Sequence, residues 1–297
     1  MQTPWGEIPV SDAHVHFFSR SFFEALGAES GRSAAGVAET AGWVLPAEDP
    51  VELAHAWAAE LDRNGVERAA LIASIPQDQS STLAAAAAHP GRFYAAAIVN
   101  PATADAALPA GLAMACLFPA MHGFEVGEAR VIAVLDQAAA LGCAVFVHCG
   151  VLSVGIRKKL GLRSFFDMRH ANPLSLHAVA VRYPAIRFVI PHFGAGCLRE
   201  ALMLADLCPN VYLDTSSSNQ WVRYEGLDLK GVFRRALDVA GPGRLLFGTD
   251  SSYFPRGWNY EIFEAQTRAL LDLGISSVDA RQILGENLQR VLAKPGG

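Results

Sequence analysis

The sequence lacks closely spaced cysteines, long basic clusters and long apolar runs. Its five cysteines are scattered, with no CxxC pair, which disfavours a disulfide framework or a zinc knuckle and favours a reducing compartment. The net charge is -5, so we expect neither nucleic-acid nor anionic-membrane binding. No apolar run reaches transmembrane length, and residues 1–7 do not resemble a secretory leader. We therefore expect a cytoplasmic protein.

What the sequence contains in abundance is apolar material. Hydrophobic residues make up 52% of the 297 positions and charged residues 18%, which is enough for a large buried core and gives no compositional sign of disorder. This length is normal for a single α/β barrel. We therefore expect one domain that spans residues 1–297, with a small molecule as its partner. A homodimer is compatible with the sequence, which sets no oligomeric state.

Eight short apolar segments alternate with helical patterns along the chain. The predicted strands are 8–17, 68–73, 93–99, 112–118, 144–148, 186–192, 211–214 and 245–250. Helical patterns follow most of them and end at residues such as Gly65, Gly142 and Pro184. Residues 18–49 are predicted to form a long loop over one end of the domain.

The strand count predicts a (β/α)8 TIM barrel, in which each strand is followed by a helix. A doubly wound open sheet is the alternative fold of class α/β. It is disfavoured because the count reaches eight and no GxGxxG motif follows the first strand.

The first predicted strand ends in Asp12-Ala13-His14-Val15-His16. Alternate side chains of a strand share a face, so His14 and His16 should point the same way. Two imidazoles held side by side form half of a site for a borderline-soft divalent metal. The alternative is that both are ordinary histidines, because His-x-His is short and common.

The barrel prediction gives these histidines more weight. In TIM barrels the active site lies at the C-terminal mouth, where the ends of several strands converge. His148, His192 and Asp250 end the fifth, sixth and eighth predicted strands. We therefore expect these three to join His14 and His16 as metal ligands or catalytic groups. The remaining histidines are interpreted as structural or surface residues: His55, His89, His122, His170 and His177.

Several segments together resemble one enzyme superfamily. They are Asp12–His16, Phe146-Val147-His148, Val189-Ile190-Pro191-His192-Phe193-Gly194, Leu246-Phe247-Gly248-Thr249-Asp250 and Ile283–Leu288. As an ordered set they are similar to the amidohydrolase superfamily. The similarity is closer to its amidohydrolase-related branch, which includes the aminocarboxymuconate semialdehyde decarboxylase-like enzymes and several lactonases. The resemblance covers nearly the whole chain.

The resemblance implies one divalent metal ion, most often zinc with manganese as the alternative. Its ligands would be His14, His16, His148 and Asp250, and His192 would be a nearby general base or polarising group. Many superfamily members bridge two metals with a carboxylated lysine at the end of strand four. Residues 114–119 contain no lysine, which argues against two metals. Cys116 lies there, but a free cysteine in an apolar strand is usually a packing residue.

Such a ligand set leaves net positive charge on the metal, which lowers the pKa of a bound water from about 16 to about 7. Asp250 can accept the proton of that water, and His192 can hydrogen-bond the water or a substrate oxygen. Asp12 lies deeper on the same face of the first strand and is expected to support the ligands through a hydrogen bond. Asp214, at the end of the seventh strand, is expected either to orient His192 or to cap the following turn.

The predicted mouth loops carry cationic and aromatic side chains. Arg163 and Arg256 suit a carboxylate-bearing substrate because a guanidinium matches a carboxylate bidentately, although a solvated loop surface is equally compatible. Tyr253, Trp221 and Trp258 are further candidates for substrate binding. Trp43, Trp221 and Trp258 lie in predicted loops on the mouth side and make an aromatic or unsaturated ring a plausible substrate.

Three functions follow from these predictions. The first is metal-dependent hydrolysis of an ester, lactone or amide. The second is non-oxidative decarboxylation of an unsaturated or aromatic acid by the same metal site. The third is a binding or scaffold role on an inactive barrel, which is the weakest because every expected ligand position is filled. The motifs do not distinguish the first two, since one metal site supports both chemistries.

Overall fold

A computed structural model describes residues 1–103, 106–217 and 219–293 of the chain. Its central feature is one sheet of eight parallel strands that are paired in chain order. The strands are β1 (Val10–Phe17), β2 (Val66–Ala73), β3 (Phe93–Ile98), β4 (Met114–Leu117), β5 (Ala144–Val147), β6 (Phe188–Ile190), β7 (Val211–Asp214) and β8 (Leu245–Leu246). The sheet curls into a nearly closed barrel, which confirms the predicted TIM barrel. A short antiparallel hairpin, Gln2–Thr3 with Gly6–Glu7, precedes it.

The strands form because their residues are apolar on both faces. Every residue of β4 and β5 is buried, as expected for strands covered by side chains inside the barrel and by helices outside it. One cluster, which includes Ile72, Phe146 and Leu246, fills the interior, while a larger one packs the strands against the surrounding helices.

The barrel closes where β1 meets the segment after β8. Ala13 N donates to Phe247 O at 2.8 Å, Asp250 N to His14 O at 3.0 Å and His16 N to Ser251 O at 2.7 Å. The first and last strands are therefore joined by backbone hydrogen bonds at the mouth of the barrel.

Helices connect the strands and cover the barrel. They are α1 (Arg20–Ser30), α2 (Ala34–Ala41), α3 (Pro50–Asn64), α4 (Gln79–Ala88), α5 (Pro119–His122), α6 (Ala129–Leu141), α7 (Gly155–Lys159), α8 (His177–Arg182), α9 (Leu198–Leu207), α10 (Val222–Glu225), α11 (Leu229–Ala240), α12 (Tyr260–Asp272), α13 (Ser277–Arg281) and α14 (Asn287–Leu292). Single turns of 3-10 helix occupy Met168–Ala171, Pro173–Leu176 and Pro242–Arg244, and a π-helical turn occupies Gln282–Glu286.

The long loop predicted after the first strand is in fact largely helical. α1 ends at Gly31 and α2 at Gly42, both in the left-handed conformation that favours glycine, and Ser33 caps the start of α2. Apolar side chains of α1 and α2 pack against those of α7 in a cluster separate from the barrel core. Together these helices form a cover over the barrel mouth.

Five predicted strands were too long at their C-terminal ends, three of them by a single residue. The larger differences are in β6 and β8. β6 ends two residues before His192, whose φ of 55° is incompatible with regular strand geometry, and β8 ends four residues before Asp250, whose φ is 59°. Among the described residues, none of the helices combines the length and apolar character that a membrane crossing requires.

Candidate active site

Three predicted ligands converge at the mouth of the barrel. His14, His16 and Asp250 each offer a donor atom within 4.8 Å of the others. Nε2 of His14 lies 3.4 Å from Nε2 of His16, and Asp250 Oδ1 lies 3.7 Å and 3.2 Å from these two nitrogens. Two imidazole nitrogens and one carboxylate oxygen are donors that zinc and similar divalent cations accept. The geometry thus makes a metal site at these residues plausible.

The local backbone explains how these side chains meet. His14 and His16 are two residues apart on β1, so their side chains point to the same face. Asp250 reaches them from its left-handed turn after β8. Positive φ is uncommon for a residue other than glycine and clusters at functional sites. The backbone hydrogen bond from Asp250 N to His14 O holds the turn against β1.

Gly248, two residues before Asp250, makes this approach possible. A Cβ at position 248 would lie 2.9 Å from Asp214 Oδ1 and 3.1 Å from the Cβ of His14. Any larger residue would have to push these groups apart, so the close packing of β8 on β1 requires glycine.

Hydrogen bonds behind the two strand-β1 histidines orient their rings. Asp214 Oδ2 lies 2.7 Å from His14 Nδ1, with both side chains only 1% exposed, and Ser74 Oγ lies 2.7 Å from His16 Nδ1. With Nδ1 engaged in each ring, Nε2 is the nitrogen left to bind a cation.

The contacts of Asp214 agree with one of its two expected roles and not with the other. We expected this carboxylate either to orient His192 or to cap the turn after the seventh strand. It contacts His14 rather than His192, while its Oδ1 accepts a hydrogen bond from Ser216 N at 2.7 Å, as a cap of the turn would. β7 lies beside β8, whose other neighbour at the closed mouth is β1, so His14 comes within reach of Asp214.

Burial and charge act oppositely on these groups. Burial lowers the pKa of His14, but the carboxylate of Asp214 raises it, and the net shift is upward. Burial lowers the pKa of His16, with a partial opposing effect of Asp250. Burial raises the pKa of Asp250, but hydrogen bonding to His16 and the charges of the histidines outweigh it, so that its pKa falls below the usual range. Asp250 is therefore an ionised carboxylate.

His192 and His148 complete the cluster of histidines. The His192 ring stacks on His14 with centroids 5.0 Å apart, and its Nδ1 lies 2.9 Å from Ser216 Oγ and 3.2 Å from Ser216 O. The His148 ring lies 5.4 Å from His192, and burial lowers the pKa of both. Neither belongs to the group of three donors within 4.8 Å.

His148 has one feature that fits a metal ligand. Its Nδ1 is buried and has no hydrogen-bond partner among the described residues, which is costly for a ring nitrogen unless something binds it. The residues present therefore fit a divalent cation, and the role of His148 as a fourth ligand stays a prediction. Cys116 is buried in the barrel interior, outside the donor group.

Asp12 lies behind the site and links both ends of the barrel closure. Its Oδ1 accepts from the backbone nitrogens of His14 at 2.9 Å and Thr249 at 3.1 Å, and its Oδ2 from Thr249 Oγ1 at 2.5 Å and Trp258 Nε1 at 2.7 Å. Burial raises the pKa of Asp12 to about 6, although these hydrogen bonds oppose the shift. The carboxylate holds the ligand segments of β1 and β8 in register.

The indole of Trp258 donates to Asp12 and does not line the cavity described below, so the geometry gives no support to its predicted role in substrate binding. Its side chain is 3% exposed and packs against Phe247 and Phe263. The backbone nitrogen of Trp258 also donates to Glu60 Oε1 at 3.0 Å.

A cavity of about 940 Å³ lies between the barrel mouth and the helical cover. Its volume suits a small-molecule ligand. The cavity is lined by the five predicted ligands and catalytic residues (His14, His16, His148, His192 and Asp250) and by four of the predicted substrate-binding residues (Arg163, Trp221, Tyr253 and Arg256).

One wall of the cavity is a stack of aromatic rings. Phe18 stacks on Phe22 with centroids 4.0 Å apart and on Trp43 at 5.5 Å, and Trp43 stacks on Tyr253 at 4.4 Å. The guanidinium of Arg256 lies 4.5 Å from the centre of the Tyr253 ring and donates to Asp250 O at 3.2 Å. The wall therefore carries a cation beside Asp250.

Ser74 and Ser216 are functional candidates that the sequence did not reveal. Each hydroxyl contacts the Nδ1 of a histidine that is distant in sequence, His16 for Ser74 and His14 and His192 for Ser216. Isolated serines carry no spacing signal. The position of Ser216, two residues beyond the strand end at Asp214, was the one available indication.

Solved structures of other proteins share this fold. The chain is similar to 5-carboxyvanillate decarboxylase from Sphingomonas paucimobilis, with a TM-score of 0.61 and 15% identity over 96% of this chain and 99% of that one. It is similar to a probable 2-pyrone-4,6-dicarboxylic acid hydrolase from Acinetobacter baumannii with citric acid bound. The TM-score is 0.60 and the identity 13%, over 96% of this chain and 99% of that one. It is also similar to a manganese-bound dihydroxybenzoic acid decarboxylase from a Polaromonas species. The TM-score is 0.61 and the identity 15%, over 96% of this chain and 97% of that one.

Sequence comparison identifies the family. A segment of 89 residues is 34% identical to Protein fluG from Emericella nidulans, covering 30% of this chain but only 10% of that protein. The sequence model of the amidohydrolase family matches residues 11–293, which include every predicted ligand. Since this match extends over nearly the whole chain, the protein belongs to the amidohydrolase family.

Proposed function

We propose that the protein is a metal-dependent hydrolase that cleaves an ester, lactone or amide bond of a small, carboxylate-bearing substrate. The observation that carries the proposal is Asp250. Its side chain is 34% exposed in the cavity and lies beside the two imidazoles of the donor group, and the net shift of its pKa is downward. A carboxylate so placed can both hold a cation and accept a proton from water.

The cation would be held by His14, His16 and Asp250, with His148 as the fourth ligand. Zinc is the first candidate because of the nitrogen-rich donor set, and manganese is the second. When bound, a divalent cation would polarise a carbonyl oxygen and lower the pKa of water.

The remaining roles belong to the side chains around the cavity. Asp250 accepts a proton, and His192, whose Nδ1 is engaged with Ser216, presents Nε2 for a hydrogen bond to a substrate oxygen. Arg163 and Arg256 line the cavity and can each bind a carboxylate through a guanidinium fork. Residues of α1 and α7 line the cavity opposite the barrel mouth.

Non-oxidative decarboxylation is the second candidate. The specific observation in its favour is the aromatic wall from Phe22 to Tyr253, which suits an aromatic or unsaturated acid, and two of the structural neighbours are decarboxylases of such acids. In this reaction His192 would give a proton to the carbon that loses carbon dioxide, whereas in hydrolysis it would hydrogen-bond a substrate oxygen.

The experiment compares two substrate panels on the purified protein. Lactones and esters are followed by acid release, and aromatic and unsaturated acids by release of carbon dioxide. We expect acid release that stops on chelation and returns when zinc or manganese is added back. Carbon dioxide release without hydrolysis would favour the second candidate, and activity that survives complete chelation would contradict both.

Variants test the residues. Asp250→Asn assayed at saturating metal should lose turnover, and His16→Ala should lose metal by elemental analysis. Asp136→Asn is the matched control, because Asp136 lies outside the cavity lining and accepts a hydrogen bond from Tyr183.

A further inference from the structure

The hydroxyl of Ser216 lies between two imidazole rings of the site. Its Oγ is 3.0 Å from His14 Nδ1 and 2.9 Å from His192 Nδ1, and the residue is fully buried. Its backbone carbonyl lies 3.2 Å from the same His192 nitrogen. One residue therefore offers His192 both a hydroxyl and a carbonyl oxygen.

The two rings depend on Ser216 to different degrees. His14 Nδ1 has a shorter contact of 2.7 Å to the carboxylate of Asp214, which by itself keeps the proton of that ring on Nδ1. Within the described parts of the chain, His192 Nδ1 has no hydrogen-bond partner other than Ser216. The tautomer of His192 is therefore controlled by this serine.

A hydroxyl and a carbonyl satisfy different forms of the ring. A carbonyl oxygen only accepts, so it pairs with His192 when Nδ1 carries the proton. A hydroxyl also donates, so it pairs with His192 when Nδ1 is bare and the proton is on Nε2. Both tautomers are thus satisfied with the ring in one position, and Nε2 has no partner among the described residues on its cavity side.

We infer that Ser216 is a positioning residue that lets His192 present either a lone pair or an N–H from Nε2 to the substrate. The inference deepens the proposed function and rests on it for its activity measurement. The neutral ring with its proton on Nε2 donates a hydrogen bond to a substrate oxygen, and its bare Nδ1 then accepts from the Ser216 hydroxyl. The neutral ring with its proton on Nδ1 can instead accept a proton at Nε2, which gives an imidazolium whose Nδ1–H stays on the Ser216 carbonyl. A partner that serves both forms lets a single fixed ring do both.

Removing the hydroxyl separates the two forms. In Ser216→Ala the backbone carbonyl still accepts from a protonated Nδ1, but a bare, buried Nδ1 would have no donor, which is unfavourable. The neutral His192 ring would then be held with its proton on Nδ1, and in that neutral form it would lose Nε2–H as a donor. Metal binding should persist, because Asp214 still contacts His14.

The test measures three properties of Ser216→Ala. Two-bond nitrogen-15 NMR spectra of histidine side chains report the tautomer, and the His192 signal is identified by its loss in His192→Gln. The kcat and KM are measured on the best substrate of the panels, and elemental analysis gives the metal content. Ser216→Cys, which keeps the shape with a weaker donor, maintains the test if the alanine variant does not fold. The control is Ser11→Ala, since Ser11 Oγ is buried without a hydrogen-bond partner among the described residues.

We expect the His192 signal to move from an average of two tautomers to the Nδ1–H form in Ser216→Ala. We expect kcat to fall about 100-fold, at the lower end of general acid–base contributions, with KM and metal content little changed. The His192 signal and the kcat of Ser216→Cys should lie between those of the wild type and of Ser216→Ala. Ser11→Ala should match the wild type in both. A wild-type signal already in the Nδ1–H form, an unchanged signal in the variant or loss of metal would each overturn the inference. If no substrate is turned over, the proposed function fails while the NMR measurement still decides the role of Ser216.

Discussion

Asp214→Asn isolates the contribution of the hydrogen bond behind His14. The carboxylate accepts from His14 Nδ1 at 2.7 Å through Oδ2 and from Ser216 N at 2.7 Å through Oδ1. Asparagine has a single acceptor oxygen, and its amide nitrogen only donates. If that oxygen keeps the Ser216 contact, the amide nitrogen faces His14, whose proton then has to move to Nε2. That nitrogen is the one 3.4 Å from His16 Nε2, where a cation would bind.

The expected loss follows from the burial and charge of this pair. Both side chains are 1% exposed, so water cannot replace the missing acceptor. Partners of this type contribute about 10- to 100-fold in metal affinity, which corresponds to about 1.4 to 2.8 kcal/mol. We expect Asp214→Asn to raise the Kd for zinc by that factor, with the larger value if the tautomer of His14 changes.

The assay is a competition between protein and a chelator of known zinc affinity, followed by chelator absorbance. Asp136→Asn, the same substitution at a surface hydrogen bond, serves as the control. Far-ultraviolet circular dichroism confirms that the variant is folded. A zinc Kd equal to the wild-type value would refute the reasoning, because it would mean that His14 does not bind the metal through Nε2.

Three further substitutions test the surroundings of the site. Trp258→Phe should lower the unfolding free energy by about 1 to 3 kcal/mol in urea titrations, because Asp12 loses a buried donor, and should leave KM unchanged. Gly248→Ala should reduce metal content by elemental analysis, because a Cβ there would displace Asp214 or His14. Burial lowers the pKa of His122 to about 4 from 6.5, so the unfolded state binds more protons between these values and stability falls as pH decreases. His122→Gln should flatten that dependence, and an equal slope in both proteins would contradict it.

The barrel and the convergence of His14, His16 and Asp250 could be predicted because each has a local signal. The strands are short apolar runs bounded by turn residues, and His14, His16 and Asp250 lie at or just beyond strand ends, where a barrel brings them together. Confirmation of the family adds weight to this pattern. The backbone turns at His192 and Asp250 could not be predicted, since positive φ at these residues follows from tertiary contacts and not from residue type.

The residues that surround the ligands were harder to predict. Trp258 follows a mouth-side strand and looks like a substrate contact, but the depth of its side chain depends on hydrogen bonds to Asp12 and Glu60. Ser216 contacts a histidine 202 positions away, and no periodicity marks it. The helices α1 and α2 did carry signals, since Ser33 and the glycines that follow each helix are standard cap residues.

The closure of the barrel and the construction of the site are the same set of contacts. The backbone hydrogen bonds that join β1 to the segment after β8 involve His14, His16 and Asp250 themselves, and Asp12 strengthens the same seam from behind. A cation that binds these residues would therefore stabilise the seam, and by mass action it would stabilise the folded state. Contacts that hold the seam closed must likewise favour metal binding, because the two equilibria are linked. The seam between β1 and the segment after β8 is thus where the stability of the fold and the binding of a cation would depend on each other.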